Sequence, residues 1–237
     1  MFNLVYQPIV QVKTQQVMGY EALLRHPEHR SPLEAIEEAR RQGTLVLMEA
    51  AILEKAARDI STTNARLWWN VTWDNFTNPG FVGRAMKRLA EAGMSSSRVV
   101  VELSERSPID QDLFTEAMER WVYDGFGVAL DDFGAGGSNQ NLLFGPIRPH
   151  AVKFDRSLAS GASGDEDRGR YLIAQIKEVW KLGVDVVVEG IETREDLAFF
   201  RALSVPVMVQ GFVFGYPAMF SVLENKKKEW LKVVAGR

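Results

Sequence analysis

Short runs rich in β-branched and aromatic residues alternate along this chain with longer stretches whose apolar positions recur every three or four residues. Strands are predicted near 4–11, 17–24, 66–72, 98–103, 126–131, 150–154, 184–189 and 206–212. Helices are predicted near 32–41, 44–60, 79–92, 110–123, 138–144, 166–182, 194–202 and 219–233. This alternation is the pattern of a parallel sheet with crossover helices, and eight units of it suit a closed α/β barrel. Only Lys13, Thr14, Gln15 and Gln16 separate the first two strands. That is enough for a hairpin and too little for a crossover helix, so the first strand is expected to run antiparallel to its neighbour. The small-residue stretch 157–165 reads as a mobile loop beside the mouth of the barrel.

At or near the C-terminal end of every strand-like run after the first stands a residue able to bind a metal or move a proton. The set is Glu21, Asn70, Glu102, Asp131 with Asp132, Lys153 with Asp155, Glu189 and Gln210. In such a barrel these ends meet at one mouth. Strand parity places Lys153 with Asp155, Asp185 with Glu189, and Trp68 with Asn70 on common faces. Asp131 and Asp132 are adjacent and would point oppositely in a regular strand. Both reach one site only if the strand ends there, and the glycines of 134–137 supply such a turn. Converging carboxylates repel one another and resist burial unless positive charge is supplied. Lys153 alone cannot balance six of them, whereas hard divalent cations such as Mg²⁺ or Mn²⁺ can, with an amide oxygen from Asn70 as a further ligand. A carboxylate bridging two ions is the usual device for attacking a phosphodiester, so hydrolysis of a phosphate ester is the leading chemistry. Taken singly, each acid is more often a helix cap or a surface ion pair. An enolase-like or aldolase-like barrel built on the carboxylates and Lys153 rests on fold analogy alone.

Composition narrows the setting. The 237 residues suit one α/β barrel, so a single domain over 1–237 is expected, and 46% hydrophobic content allows a sizeable core. The net charge of -3 argues against a general nucleic-acid-binding surface. There is no cysteine, which excludes disulfides, thiolate nucleophiles and Cys-ligated zinc. No apolar run is long enough to span a bilayer and the first residues lack a signal-peptide pattern, so a cytoplasmic setting is expected. The run of Lys226, Lys227 and Lys228 reads as a solvated helix face, Trp68 and Trp69 as packing residues, and His26, His29 and His150 lack ligand spacing.

Read in order, the motifs resemble the EAL domain, the bacterial cyclic-di-GMP phosphodiesterase family. The segments that carry the resemblance begin with Tyr6-Gln7-Pro8-Ile9, Glu21-Ala22-Leu23-Leu24-Arg25, Asn70-Val71-Thr72 and Glu102-Leu103-Ser104-Glu105. They continue with Asp131-Asp132-Phe133-Gly134, Lys153-Phe154-Asp155, Glu189-Gly190-Ile191-Glu192 and Gln210-Gly211-Phe212. The resemblance implies a modified TIM barrel with an antiparallel first strand, and cleavage of one phosphodiester of cyclic di-GMP to linear pGpG. It implies that Glu21, Asn70, Glu102 and Asp131 hold one metal, and that Asp131 bridges to a second near Asp132 and Asp155. Glu189, Lys153 and Asp132 become the expected catalytic residues. Lys153 would orient the attacking water, and Glu189 would be either the general base or a second-metal ligand. Gln7, Arg25 and Gln210 become expected substrate-side contacts, while Glu105 and Glu192 would hold the loop after Asp132. A homodimer is implied as well.

This chain departs from the family pattern in that loop, where Gly137 replaces an aromatic residue and Asn139 a serine, and at Gly215-Tyr216-Pro217, where a basic residue often precedes the proline. The altered loop keeps a second reading open: a catalytically silent receptor for cyclic di-GMP, or a protein-interaction module, on the same barrel.

Overall fold

The computed structural model describes residues 2–104, 110–134 and 139–234. Eight strands close into one barrel in chain order: β1 (Asn3–Gln11), β2 (Gln16–Arg25), β3 (Arg66–Asn70), β4 (Val99–Ser104), β5 (Gly127–Phe133), β6 (Ala151–Phe154), β7 (Asp185–Val188) and β8 (Met208–Val209). β1 runs antiparallel to both of its neighbours, β2 and β8, and every other pairing is parallel. The hairpin follows from the short connection, since four residues can reverse the chain but cannot cross a sheet.

The outer layer comprises α1 (Pro32–Arg41), α2 (Leu45–Ile60), α3 (Trp73–Thr77), α4 (Pro79–Ala92), α5 (Gln111–Tyr123), α6 (Arg156–Ala159), α7 (Glu166–Lys181), α8 (Arg194–Arg201) and α9 (Phe220–Val234). Side-chain caps set several of the starts. Ser31 accepts from the Glu34 N–H, Asp110 from those of Asp112 and Leu113, and Thr193 from that of Asp196. No helix among the described residues is long and apolar enough to cross a membrane.

Parity divides the apolar residues into two cores. Outward-facing strand residues pack under the helices; Trp69, for example, lies 5.7 Å from Phe81 and 6.2 Å from Trp121, centroid to centroid. Inward-facing residues make a separate plug of Ile9, Trp68, Val100, Ala129, Ala151, Val187 and Met208. The plug has space for Trp68 only because β2 contributes Gly19. A Cβ at Gly19 would stand 2.4 Å from Trp68 Nε1 and 2.9 Å from the Arg66 carbonyl. Gly19→Ala is therefore expected to cost about 1–3 kcal/mol through overpacking. A urea denaturation midpoint equal to that of the wild type would contradict this account.

Several local expectations change. β5 does not end at 131 but continues to Phe133. The stretch 157–165 is not loop throughout: Asp155 accepts from the Ser157 N–H at 2.8 Å and starts α6, and Arg168 donates to the carbonyls of Ser157 and Ser160 at 2.8 Å each. Residues 139–144 form a 3₁₀ turn instead of an α-helix. β8 shrinks to two residues because Gln210 and Gly211 turn against the backbone that follows β7. The Ile191 N–H donates to the Gln210 carbonyl at 3.1 Å, and a Cβ on Gly211 would meet the Ile191 carbonyl oxygen at 2.1 Å.

Candidate active site

The polar ring stands directly on the apolar plug. Two residues beyond Trp68, Val100, Ala129, Ala151, Val187 and Met208 come Asn70, Glu102, Asp131, Lys153, Glu189 and Gln210, so parity sends each to the same inner face one layer nearer the mouth. β2 adds Glu21 two residues after Gly19. β1 runs the other way and adds Gln7 two residues before Ile9. Six strands thus contribute one member each, and Glu189 and Gln210 follow immediately after β7 and β8.

Lys153 is fully buried at its centre. Its Nζ lies 2.8 Å from Glu189 Oε1, 2.9 Å from Glu102 Oε1, 3.0 Å from Asp131 Oδ1 and 3.3 Å from Glu21 Oε2. An ammonium carries three protons, so it cannot donate to all four carboxylates at once. Glu21 is further tied by Asn70 Nδ2 at 2.9 Å and Gln210 Nε2 at 2.6 Å, and Gln210 Nε2 also donates to Gln7 Oε1 at 2.9 Å.

The electrostatics follow from this crowding. Burial, then the charge of Glu21, pushes the Glu102 carboxyl well above the usual range. Burial also raises Asp131, and it brings Glu189 to about 7, in both cases against the pull of Lys153. Burial opposes the charged form of Glu21 too, but Lys153 and the amides of Gln210 and Asn70 outweigh it, so Glu21 is held below its ordinary value. Lys153 is desolvated as well, yet its four acids raise it well above a free lysine. The ring therefore lacks positive charge.

Asp131 and Asp132 both face the site, though not because the strand stops. The pairing of β5 with β6 slips between Leu130 and Phe133, and Asp132 adopts φ 58°. Aspartate tolerates this left-handed conformation better than most residues, and the reversal cancels the alternation that would have sent its side chain outward. Asp132, Asp155 and Glu189 then bring carboxylate oxygens within 4.8 Å of one another, a spacing that could hold a cation. Ser104, two residues beyond Glu102, donates from Oγ to Asp132 Oδ2 at 3.0 Å. Parity could have marked Ser104 in the sequence, but a lone serine carried no chemical signal.

Hard oxygen donors dominate both groups. Among the described residues, buried Glu102 Oε2 and Gln210 Oε1 have no hydrogen-bond partner. Unsatisfied buried acceptors beside surplus negative charge fit a divalent cation such as Mg²⁺ or Mn²⁺.

The other expected residues lie around this centre. Gln7 and Gln210 belong to the ring itself. Arg25 is exposed at the end of β2, with Nη1 donating to the Leu24 carbonyl at 2.8 Å. Glu192 is exposed and lies 3.6 Å from Arg156 Nη2. Glu105 and Gly137, with most of the loop after Asp132, fall outside the described residues. His26 pairs with His29 at 4.5 Å beside a separate hollow. Two clefts open beside the ring. A narrow one of about 180 Å³ is lined by Gln7, Asp155, Glu189, Gln210 and Phe212. A larger, mostly apolar one of about 740 Å³ is lined by Glu21, Leu24, Ile36, Glu49, Asn70 and Trp73.

Comparison with known proteins places this architecture. The chain is 30% identical over 242 residues to cyclic di-GMP phosphodiesterase PA2567 of Pseudomonas aeruginosa, covering 98% of this chain and 40% of that protein. It is 29% identical over 229 residues to the bifunctional diguanylate cyclase/cyclic di-GMP phosphodiesterase MucR of the same organism, covering 90% and 32%. The chain thus spans well under half the length of these relatives. Among solved structures, the PaMucR phosphodiesterase in complex with c-di-GMP superposes with a TM-score of 0.81 at 26% identity, covering 94% of each chain. The manganese/cy-diGMP complex of Klebsiella pneumoniae BlrP1 gives 0.79 at 27% identity, covering 92% of this chain and 56% of that one. The EAL domain family model matches residues 1–217, and with the strand-end ring in its expected order this chain belongs to the EAL domain family.

Proposed function

We propose that this chain, as one barrel domain over 1–237, hydrolyses one phosphodiester bond of cyclic di-GMP to give linear pGpG, using two divalent cations, Mg²⁺ or Mn²⁺. The observation that carries the reading is the gathering of Glu21, Glu102, Asp131 and Glu189 around the buried ammonium of Lys153, with Asp132 and Asp155 grouped beside Glu189. Relatives that bear the phosphodiesterase name support the choice of substrate.

Glu21, Asn70, Glu102 and Asp131 would hold one cation. Asp132, Asp155 and Glu189 would hold the other, and Asp131 would serve both. When bound, such a pair supplies stabilisation for the incoming and leaving oxygens of an in-line displacement. The chain's own groups do the rest. Glu189 accepts a proton from the attacking water, a role open to a carboxylate that lines the cleft beside the ring. Lys153, 2.8 Å from Glu189 Oε1, fixes that carboxylate and orients the water. As the new bond from oxygen to phosphorus forms, the ester bond to the leaving sugar oxygen breaks, and that oxygen takes up a proton. Asp132 is held by Ser104 on the side facing Asp155 and Glu189. Gln7, Arg25 and Gln210 contact the dinucleotide, Glu105 and Glu192 support the loop after Asp132, and the working form is a homodimer.

The test is product analysis. The purified chain with cyclic di-GMP and Mg²⁺ or Mn²⁺ is expected to yield pGpG; chelation should stop the reaction and added metal restore it. Metal binding by a folded chain without turnover would defeat the proposal, and tight cyclic-di-GMP binding alongside would assign the chain as a receptor instead.

A further inference from the structure

Six polar or charged side chains are buried among the described residues. Four of them, Glu21, Glu102, Lys153 and Gln210, belong to the ring. The other two, Glu49 on α2 and Asn75 on α3, are bonded to each other, with Asn75 Nδ2 donating to Glu49 Oε2 at 2.8 Å. The second oxygen of Glu49 accepts from the Thr72 backbone N–H at 3.2 Å. Glu49 thus ties the cap residue of α3 and a residue of its first turn, two and five positions after Asn70. Thr72 is the cap residue of α3, and its backbone N–H is held by a residue of another helix. Asn70 itself is exposed at the mouth, and apart from its strand pairing its amide is fixed by one hydrogen bond to Glu21.

Burying a carboxylate is costly, and burial pushes Glu49 up to about 7 in spite of its donors. An apolar side chain on that face of α2 would pack without this cost. What the carboxylate adds is a pair of acceptors aimed at two different donors of one turn. Glu49 also lines the larger cleft together with Asn70 and Glu21, so the turn it holds forms a wall of the site.

We infer that Glu49 is a positioning residue for Asn70: through Thr72 and Asn75 it sets the turn that presents the Asn70 amide to the metal-binding ring. This rests on the proposed function only in assigning Asn70 to a metal. Groups that orient metal ligands typically change metal affinity or activity by about 10–100-fold when removed. Glu49→Ala is accordingly expected to weaken Mn²⁺ binding, followed by calorimetry, by about 10-fold, and to lower kcat to a similar degree with KM for cyclic di-GMP little changed. Glu49→Gln should stay near the wild type, because its carbonyl can accept from Thr72 and its amide can donate to Asn75 once the Asn75 amide turns over. Asn75→Ala should shift Mn²⁺ affinity in the same direction by less, and it carries the test if Glu49→Ala does not fold.

A lowered melting temperature with unchanged Mn²⁺ affinity would overturn the inference, since Glu49 would then serve stability alone. A raised KM at unchanged kcat would also overturn it, by making Glu49 a substrate contact. If the wild-type chain bound no Mn²⁺, the proposed function would fail first, and the inference would be read from the Asn70 side-chain amide resonance of the metal-free protein. A shift of that resonance in Glu49→Ala but not in Glu49→Gln supports it; no shift overturns it.

Discussion

Replacing Lys153 with methionine is expected to lower the stability of the metal-free chain by about 3–5 kcal/mol, because it leaves buried carboxylates without their partner. The ammonium lies within 3.3 Å of four acids and has no exposed surface. Methionine keeps the length and apolar stem of lysine, so loss of packing would contribute little to the change. Charge compensation separates the two causes. Adding Glu102→Gln to Lys153→Met should recover part of the loss, since burial and the charge of Glu21 both oppose the charged form of Glu102. Mg²⁺ should raise the urea midpoint of Lys153→Met more than that of the wild type, as the cation replaces the missing charge. Equal urea midpoints for Lys153→Met and the wild type in EDTA would show that the ammonium does not hold the ring together.

Glu189→Gln is expected to reduce turnover of cyclic di-GMP by about 10²–10⁴-fold, the usual cost of losing a positioned proton acceptor. The fold should survive. Glutamine matches glutamate in shape, and Lys153 retains Glu21, Glu102 and Asp131. Single-turnover rates, with denaturation midpoints as the control, separate a chemical defect from an unfolded one. A variant that kept the full rate would remove Glu189 from the role of base.

Both expectations depend on a ring whose members could be named before the barrel was seen. Each strand carries its polar residue two positions from a small or apolar one, and that period of two is written in the sequence: Trp68 and Asn70, Ala151 and Lys153, Val187 and Glu189. The hairpin was equally legible, because four residues cannot cross a sheet. Asp131 and Asp132 were legible as a pair but not in their geometry. The reading required the strand to end, whereas the chain continues through a register slip with Asp132 left-handed, and backbone reversals of that kind leave little trace in residue type. α3 was missed because five residues are too few to show a helical period.

Glu49 gave a fainter sign. It stands four residues after Leu45 and three before Ile52 on the apolar stripe of α2, where a carboxylate is out of place. The sequence could flag that anomaly, but it could not supply Thr72 and Asn75 as partners, which come from the turn after another strand.

The sequence by itself determined the strand count, the antiparallel opening, the family and the inventory of acids, because these follow from local period, connection length and ordered motifs. Only the tertiary structure decided that a single ammonium sits among four carboxylates and that Asp132 turns inward through its own backbone. It alone placed a buried Glu49–Asn75 pair beneath Asn70. Those are contacts between residues distant in the chain, and their energies depend on burial and distances of a few ångströms, which exist only after the barrel closes.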